Sequence, residues 1–343
     1  MQAMGAAVDV SDIAADLGRF ERVAVTGGLG FVGSHVVATL AAAGRSVLVL
    51  DIAPPPDLLP GNVTHHRVDI RDVRAITPTL REVDLVLHLA GNPSGTVSVD
   101  RPRFDFETNA QGTFNLCEAL AGSSVRKLVY LSSAMVYGVP RTCPITEDHP
   151  VAPFLPYGAS KLSGEHVVSV FKHALGLPAT IGRAFTLYGP GEDPKRAGGE
   201  VTQFLRWHLN GEPIRATGDV DAKTRDFCSI GDLVRALLFL AARGDEGEVY
   251  NLGSGTETSL RELADVIGTV TGRQASLISD ESITDDTYRL VADTTKLRGL
   301  GFAPRTSLAE GVRALAAELG DHPAPPAVDT IFRRGQRVGV AGR

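Results

Sequence analysis

The amino-acid sequence predicts an α/β fold in which a doubly wound parallel sheet is followed by a smaller C-terminal α/β domain. From Arg22 onward short apolar runs alternate with longer helical patterns, and beyond Phe185 glycine and proline cluster and the elements become shorter. Short apolar runs that are bounded by turns and separated by helices are typical of parallel strands covered on both faces. We therefore predict an N-terminal extension at 1–20, a sheet domain at 21–183, a smaller domain at 184–320 and a Pro-rich, then basic tail at 321–343.

The first unit of the predicted sheet is a strand, a helix and a second strand. The strand "RVAVTG" runs into the helix "FVGSHVVATLAAAG", and the second strand is "SVLVLD". Further apolar runs predict strands at "THHRVDI", "VDLVLHLAG", "KLVYLSSA" and "PATIGRAF". The helical segments "FETNAQGTFNLCEALAG" and "PYGASKLSGEHVVSVFKHALG" precede the last two of these strands, as the connections of a parallel sheet require.

Composition and charge disfavour several functional classes. The 343 residues are enough to bury a large core, and the formal net charge of -6 argues against nucleic acid or an anionic membrane as the main partner. No apolar run approaches the roughly 18 residues of a membrane helix, and the N-terminus lacks the pattern of a signal peptide. Cys117, Cys143 and Cys228 are too widely spaced for a metal-binding pair. We expect a cytoplasmic protein with free thiols and no metal.

A glycine-rich turn, "TGGLGFVGSH", joins the first strand to the first helix. Gly28, Gly30 and Gly33 fit the pattern G-x-G-x-x-G, and Gly27 adds a second register. Such glycines allow a tight turn and a close approach of the backbone to a pyrophosphate, which the helix amides then bind. The next strand ends in Asp51, about 20 residues onward, where a carboxylate accepts hydrogen bonds from a ribose diol and repels a 2'-phosphate. The sequence therefore predicts a Rossmann-type site for NAD rather than NADP; a structural turn and a strand-end cap are the alternatives.

The stretch "PYGASK" places Tyr157 four residues before Lys161. On a helix, side chains four apart share a face, so the ammonium would lie near the phenol and favour its ionised form. Tyr157 would then act as a base at neutral pH, although an unperturbed phenol titrates near pH ~10. A half-buried tyrosine beside a solvated lysine is the plainer alternative for so short a pattern.

Several motifs, taken in order, resemble those of the extended short-chain dehydrogenase/reductase family, in its nucleotide-sugar epimerase and dehydratase branch. The resemblance spans the chain from about Arg22 to Gly320 and rests on "TGGLGFVGSH", "VDIRD", "HLAG", "NAQGT", "SSAMVYG", "YGASK", "YGPG" and "RDF". It implies NAD as the cofactor and a nucleotide sugar, UDP-linked in the branch it resembles, as the substrate. It also implies a homodimer formed through the helices that contain Asn109 and Tyr157.

The resemblance implies a role for each matching residue. Tyr157 would accept and donate the proton, Lys161 would lower the phenol pKa and bind the nicotinamide ribose, and Ser133 would hydrogen-bond the reacting sugar hydroxyl. Asn109 has the place of a family asparagine near the cofactor, with a structural hydrogen-bonder as the alternative. The residues implied for the cofactor are Gly27, Gly30, Phe31, Val32, Gly33, Asp51, Ile52, Asp69, Ile70, Leu89, Ala90, Gly91, Asn109, Tyr157 and Lys161. Those implied for the substrate are Ser133, Tyr157, Thr186, Val201 and Arg225.

Departures from the family pattern narrow the reaction. Dehydratases of the family usually have an acidic residue after the catalytic Ser or Thr, whereas Ala134 and Met135 follow Ser133 here and cannot move protons. The resemblance therefore implies a 4-epimerase, which oxidises C4 of the sugar, lets the keto intermediate rotate and returns the hydride to its other face. Glu192 and Asp193 are unassigned carboxylates that could supply a second acid. A dehydratase, decarboxylase or reductase of the same fold and a non-catalytic NAD-binding protein are the alternatives.

The sugar and the base are less sharply indicated. Thr186 stands where many relatives carry an asparagine, which is similar to the branch that epimerises UDP-glucuronate, so UDP-glucuronate or another UDP-hexose is expected. Arg225 in "TRDF" matches the arginine that grips the diphosphate, with an ordinary surface arginine as the alternative. Thr217 replaces the aromatic residue often found under the nucleobase, and Arg289 lies out of register with the usual second arginine. The nucleobase stays open.

Overall fold

The centre of the molecule is a parallel sheet of seven strands, seen in a computed structural model that describes residues 5–193, 199–282 and 287–325. The strands of these ranges are β1 Arg22–Thr26, β2 Ser46–Asp51, β3 Val63–Arg67, β4 Leu85–His88, β5 Lys127–Ser133, β6 Ala179–Ala184, β7 Thr186–Tyr188, β8 Ile214–Thr217, β9 Thr224–Arg225, β10 Phe227–Ser229, β11 Val249–Leu252, β12 Thr258–Ser259, β13 Leu277–Asp280 and β14 Arg289–Leu290. The large sheet has the order β11-β6-β5-β4-β1-β2-β3, and its neighbouring strands are parallel. The strand order reverses between β1 and β4, and ligands of such sheets bind at the carboxyl ends of the strands beside this point.

Helices cover both faces of this sheet, which confirms the predicted doubly wound fold. The α-helices are α1 Ala14–Leu17, α2 Phe31–Ala42, α3 Val73–Ile76, α4 Gly95–Asp100, α5 Pro102–Phe106, α6 Gly112–Leu120, α7 Pro156–Leu175, α8 Glu200–Leu209, α9 Ile230–Arg243, α10 Leu260–Thr271, α11 Thr295–Gly299 and α12 Leu308–Leu319. On one face Val25 of β1 joins Val37 of α2 and Leu237 of α9 in an apolar core. On the other face the preceding residue of β1, Ala24, packs with Leu116 of α6. Successive residues of a strand point to opposite faces, so each β1 residue supplies one layer.

The C-terminal part of the chain has an apolar core of its own. Trp207 of α8, Leu263 of α10 and Leu315 of α12 are buried together there, beside the parallel pair β8 and β13. Two elements beyond Ala184 belong to the large sheet instead, since α9 packs on it and β11 pairs with β6. The domain boundary between residues 183 and 184 stays a prediction, to which the structure adds this return of the chain to the sheet.

The segment that precedes β1 is attached to α9. Ile13 and Leu17 are buried in the core that this helix shares with the sheet. Asp16 forms an ion pair with Arg243 of α9, with Oδ2 and Nε 2.7 Å apart. The described part of the predicted extension therefore packs as an integral layer of the fold.

The described residues bear on the membrane helices, cysteines, metal sites and tail that composition raised. None of the described helices is long and apolar enough to cross a membrane. Cys117, Cys143 and Cys228 are free thiols. The described ranges contain no group of three side chains suited to hold a metal ion. Most of the predicted tail, residues 326–343, lies outside the described residues.

Candidate active site

The glycine-rich turn folds tightly between β1 and α2. Gly27 has a φ of +68°, a left-handed conformation that favours glycine. A Cβ added to Gly33 would lie 2.0 Å from the carbonyl oxygen of Gly27, so the turn closes only without a side chain there. Gly30 caps α2 and has no side chain with which to bind the amides of Phe31 and Val32 in the first helical turn. The turn is thus a close backbone cradle at a helix N-terminus, an arrangement that suits a pyrophosphate.

Asp51 lies at the end of β2 beside this turn. Its Oδ2 accepts the amide of Leu29 at 2.9 Å, and its Oδ1 accepts the amide of Ala53, also at 2.9 Å. These bonds fix the carboxylate at the carboxyl edge of the sheet, next to the exposed Ile52. They are also the bonds of a strand-end cap, so selectivity for NAD over NADP stays a prediction.

The segment that follows β3 contains Asp69 and Ile70. The guanidinium of Arg71 contacts Asp69, with Nη2 2.6 Å from Oδ2, and this hydrogen bond lowers the pKa of the Asp69 carboxyl. Ile70 is buried, and a Cβ added to Gly112 would lie 2.6 Å from its Cδ1. A contact of these two residues with the cofactor stays a prediction, and Asp69 would make it with a carboxylate that already binds an arginine.

Buried polar groups join β1 to the end of β4. Thr26 Oγ1 accepts the amides of Leu89 and Ala90, each at 3.2 Å, and lies 2.7 Å from His88 Nδ1. Burial lowers the pKa of His88 to about 3, so the ring is neutral. A Cβ added to Gly27 would lie 2.7 Å from the backbone of Ala90. The glycine-rich turn and the backbone after β4, two predicted cofactor segments, are thereby fixed against each other.

Asn109 lies on a π-helical turn, Glu107–Gln111, a feature that is frequent at functional sites. Its Oδ1 accepts the amide of Asn92 at 2.7 Å, and its Nδ2 lies 3.0 Å from Ser160 Oγ. A Cβ added to Gly91 would meet Asn109 Oδ1 at 2.6 Å. Asn109 therefore ties three segments together, as the structural alternative supposes, and it also borders the predicted cofactor backbone at Gly91.

Ser133, Tyr157 and Lys161 come together where β5 meets α7. Ser133 is the last residue of β5 and lies close enough to the Tyr157 side chain to lower the pKa of its phenol. Pro156 opens α7, a position where its missing amide proton costs nothing, so Tyr157 lies in the first helical turn. One turn further, Lys161 is buried and its Nζ donates to the carbonyl of Leu131 at 2.8 Å.

The electrostatics of this group differ from the expectation that Lys161 lowers the pKa of Tyr157. Burial raises the pKa of Tyr157 to about 12 and outweighs the lowering effect of the nearby Ser133 side chain. Burial also lowers the pKa of Lys161 to about 8. The ammonium of Lys161 is directed at the Leu131 carbonyl. In the protein alone, desolvation makes the largest contribution to the pKa values of both Tyr157 and Lys161.

The predicted substrate residues of the C-terminal part lie on short elements. Thr186 begins β7, and Val201 is fully buried on α8. Arg225 on β9 is buried, with Nε 3.3 Å from Glu200 Oε1 and Nη1 donating to the Tyr288 carbonyl at 2.8 Å. The alternative of an ordinary surface arginine is therefore wrong, while a contact of Arg225 with a diphosphate stays a prediction.

Asp226, the residue that follows, explains much of the "RDF" motif. Its Oδ1 accepts the amide of Ser254 at 2.7 Å and the hydroxyl of the same residue at 2.6 Å. Its Oδ2 accepts the amides of Gly255 at 2.9 Å and Ala292 at 3.2 Å. Asp226 thus binds β9 to the loop after β11 and to the segment after β14, which fixes the backbone that carries Arg225.

Asn92, Asp105 and Ser160 surround Asn109 and escape prediction from the sequence. Two signals point to them: Asn92 directly follows "HLAG", and Asp105 precedes Asn109 by four positions along a helical stretch. Residues four apart share a helix face. Asp105 Oδ1 indeed lies 3.1 Å from Asn109 Nδ2.

The residues at the carboxyl edge of the sheet fit a bound dinucleotide. Cβ atoms added to Gly27 and Gly33 would come within 3.0 Å of backbone atoms, so these two positions admit only glycine. Gly27, Gly30 and Gly91 are partly exposed, and Asp51 is held at the edge of the same cradle. This geometry suits a pyrophosphate at the turn and a ribose at the carboxylate.

Comparison with known proteins agrees with this geometry. The model of the "NAD dependent epimerase/dehydratase family" matches residues 23–253. The UDP-glucose 4-epimerase of Mycolicibacterium smegmatis is 35% identical over 306 residues, covering 85% of this chain and 96% of that protein. The dTDP-glucose 4,6-dehydratase of Streptomyces niveus is 32% identical over 311 residues, covering 85% and 90%. The structure of the Bacillus cereus UDP-glucuronic acid 4-epimerase with UDP-glucuronic acid and NAD has a TM-score of 0.77 at 28% identity, covering 87% of this chain and 98% of that one.

Proposed function

Because the chain belongs to the NAD dependent epimerase/dehydratase family, we propose that it inverts C4 of a UDP-linked hexose through a transient 4-keto sugar. The observation that carries the proposal is the grouping of Ser133, Tyr157 and Lys161, with Ala134 and Met135 directly after the serine. Epimerisation needs a single acid/base beside the cofactor, whereas expulsion of water needs a second acid. Relatives named as 4-epimerases support the same reaction.

The side chains of the site divide the work. Bound NAD supplies a reversible hydride acceptor. Tyr157 takes the proton of the sugar C4 hydroxyl as the sugar is oxidised and returns it as the sugar is reduced, while Ser133 orients that hydroxyl. A pKa of about 12 keeps the phenol protonated at neutral pH, so the base role requires more positive charge beside it. Lys161 provides this charge once its ammonium turns from the Leu131 carbonyl toward the phenol.

The C-terminal part binds the nucleotide and selects the sugar. The guanidinium of Arg225 suits two phosphoryl oxygens of a diphosphate, and it is already oriented by Glu200 and by the Tyr288 carbonyl. Thr186 offers a small hydroxyl where a bulkier amide would crowd a sugar carboxylate. UDP-glucuronate therefore stands beside UDP-glucose as a substrate, and the relative solved with UDP-glucuronic acid supports it.

Dehydration is the second candidate, because a dTDP-glucose 4,6-dehydratase is among the relatives. Glu192 is the carboxylic acid best suited to it, since burial raises its pKa to about 7. Its neighbours, however, are Thr202 and Arg206 of α8, and neither belongs to the group of Ser133, Tyr157 and Lys161. The single acid/base at Tyr157 therefore favours epimerisation.

The reaction is tested by incubating the protein with UDP-glucose or UDP-glucuronate, without added NAD, in heavy-oxygen water. We expect a product of unchanged mass that differs in the NMR couplings at C4, and the same final ratio from either epimer. Tyr157→Phe is the control for contaminating activity. A product lighter by one water molecule would establish a dehydratase, and no turnover of either sugar would refute a UDP-hexose substrate.

A homodimer accompanies this proposal. Phe106 of α5, Phe114 of α6 and Val170 of α7 expose 53%, 43% and 61% of their surface on neighbouring helices. A second copy that packs against this face would bury these apolar side chains. We expect Phe114→Glu to shift the protein to a monomer in light scattering. Leu58→Glu, which changes an exposed apolar residue between β2 and β3, should leave the dimer intact. A cytoplasmic location is part of the same proposal.

A further inference from the structure

Asp105 is a buried carboxylate whose two oxygens have different surroundings. Its relative exposure is 0%, and its Oδ1 accepts the side-chain amides of Asn92 at 2.7 Å and Asn109 at 3.1 Å. Its Oδ2 is buried, and within the ranges that the structure describes no donor reaches it. A buried anionic oxygen without a donor costs more folding free energy than a neutral polar atom at the same place would. The charge itself therefore calls for an explanation.

A single side chain, that of Asn109, separates Asp105 from Lys161. A Cβ placed on Gly91 would be 2.6 Å from Asn109 Oδ1 and 3.6 Å from Lys161 Nζ, so the amide and the ammonium meet at that glycine. Asn109 in turn binds Asp105, and α5, which carries Asp105, packs against α7. The negative charge of Asp105 raises the pKa of Lys161 and also that of Tyr157. Asp105 thus acts on both groups through space.

Other groups around Lys161 do not supply a second free anion. The titratable side chains that face this pair from the elements packed around it are His88 on β4, Tyr130 on β5, Asp105 on α5, and Tyr157 and Glu165 on α7. His88 is neutral, and burial raises the pKa of Tyr130 well above its usual value, so it is neutral as well. Glu165 Oε2 lies 2.7 Å from Arg183 Nη2, and Glu165 Oε1 accepts the hydroxyl of Ser132 at 2.5 Å. Glu165 also raises the pKa of Lys161, but less than Asp105 does, and the Arg183 guanidinium already balances its charge. Asp105 is therefore the main carboxylate that balances the ammonium.

We propose that Asp105 is a positioning residue that acts as the buried counter-charge of Lys161 and keeps this lysine in its ammonium form. The proposal rests on the role proposed above for Tyr157 and Lys161 in 4-epimerisation. When Asp105 is neutral, burial of Lys161 is opposed by less attraction, so the lysine loses its proton at lower pH. Tyr157 is then relieved of a like charge and ionises at lower pH too.

The first test needs neither substrate nor added cofactor. In protein with ¹³C-labelled lysine, the Cε signal of Lys161, assigned by its loss in Lys161→Arg, is titrated by NMR. We expect Asp105→Asn to lower the midpoint by about 1 pH unit, as for loss of one nearby opposite charge. Glu107→Gln is the matched control, because it removes an exposed carboxylate from the adjoining turn and should leave the midpoint unchanged. An unchanged midpoint in Asp105→Asn overturns the proposal; Asp105→Ser gives the same reading if the asparagine variant does not fold.

The second test is the pH profile of kcat/KM with a UDP-hexose. Asp105→Asn should move both limbs to lower pH, and Asp105→Glu, which keeps the charge, should return them toward the wild type. A merely structural role would lower the rate at every pH without moving either limb, and that result would overturn the proposal. If the wild type turns over no UDP-hexose, the proposed function fails, while the NMR titration still decides the role of Asp105.

Discussion

The two halves of the site are built in different ways. In the large sheet, the predicted site residues are the last residues of parallel strands, as Asp51 is for β2 and Ser133 for β5. On the substrate side, Arg225 lies on a strand of two residues that pairs antiparallel with β12 and parallel with β14. Asp226, rather than a sheet edge, holds those pieces in place.

This difference shows that the topology of the sheet positions Asp51 and Ser133, whereas a buried polar network positions Arg225. The edge of a large parallel sheet is rigid, and every strand end contributes to the same surface. The short strands of the C-terminal part gain their order from the side chains that join them. Substitutions on the two sides should therefore affect different measurements.

The largest effect is expected at the chemical centre. Tyr157→Phe deletes one hydroxyl, so the fold and the binding of NAD should stay nearly intact while turnover falls by at least ~10²-fold, as expected for the loss of a positioned acid/base. Turnover of UDP-glucose, calorimetry with NAD and thermal unfolding measure the three quantities. Retained turnover in this variant would remove Tyr157 from the mechanism.

The second largest effect is expected at Gly33 in the glycine-rich turn. In Gly33→Ala the new Cβ would lie 2.0 Å from the Gly27 carbonyl oxygen, so the turn must open. We expect a loss of about 1–3 kcal/mol in the free energy of unfolding, typical of overpacking, and at least ~10-fold weaker NAD binding. Gly61→Ala is the control, because nothing lies within 4 Å of its added Cβ. Normal NAD affinity in Gly33→Ala would mean that the turn does not hold the pyrophosphate.

The third change concerns the substrate side alone. Arg225→Lys replaces a bidentate fork by a point charge, so KM for the UDP-hexose should rise by about 10-fold while NAD affinity is unchanged. Arg289→Lys is the matched control, since this exposed arginine pairs with Glu257 and lies out of register with the family pattern. Equal KM values for the two variants would show that Arg225 serves only the fold.

The smallest effect is expected at Asp51. Asp51→Asn removes the charge that should repel a 2'-phosphate and keeps one oxygen for a backbone amide. We expect the preference for NAD over NADP to fall by about 10-fold. This is the size of the repulsion between the Asp51 carboxylate and a 2'-phosphate in a partly solvated site. Calorimetry with both cofactors measures this ratio. Equal affinity for NAD and NADP already in the wild type would refute the role assigned to Asp51.

The same contrast decides what the sequence could predict. The strands, the helices and the turn around Gly27 follow from local periodicity and glycine chemistry, and they are confirmed. The return of β11 to the large sheet and the attachment of Ile13 and Leu17 to α9 depend on contacts between distant parts of the chain, which periodicity does not encode.

The electrostatics of the site escape prediction for a similar reason. The spacing of Tyr157 and Lys161 is visible in the sequence, whereas the depth of burial that governs both pKa values is a property of the folded chain. The hydrogen bonds of Asp226 cannot be predicted from the sequence for the same reason, because their donors are residues 254, 255 and 292. Local patterns thus suggest candidate site residues, but not the environment that sets their chemistry.

The late position of β11 in the chain imposes an order on biosynthesis. Until Val249–Leu252 has left the ribosome, β6 forms an edge of the sheet with a row of unpaired backbone groups, which is a template for aggregation. Domains usually fold as units during synthesis, yet here the sheet is completed only after much of the C-terminal part has been made. A nascent chain that stalls after β6 should therefore depend on chaperones, and a fragment that ends at residue 183 should not fold into a soluble NAD-binding unit.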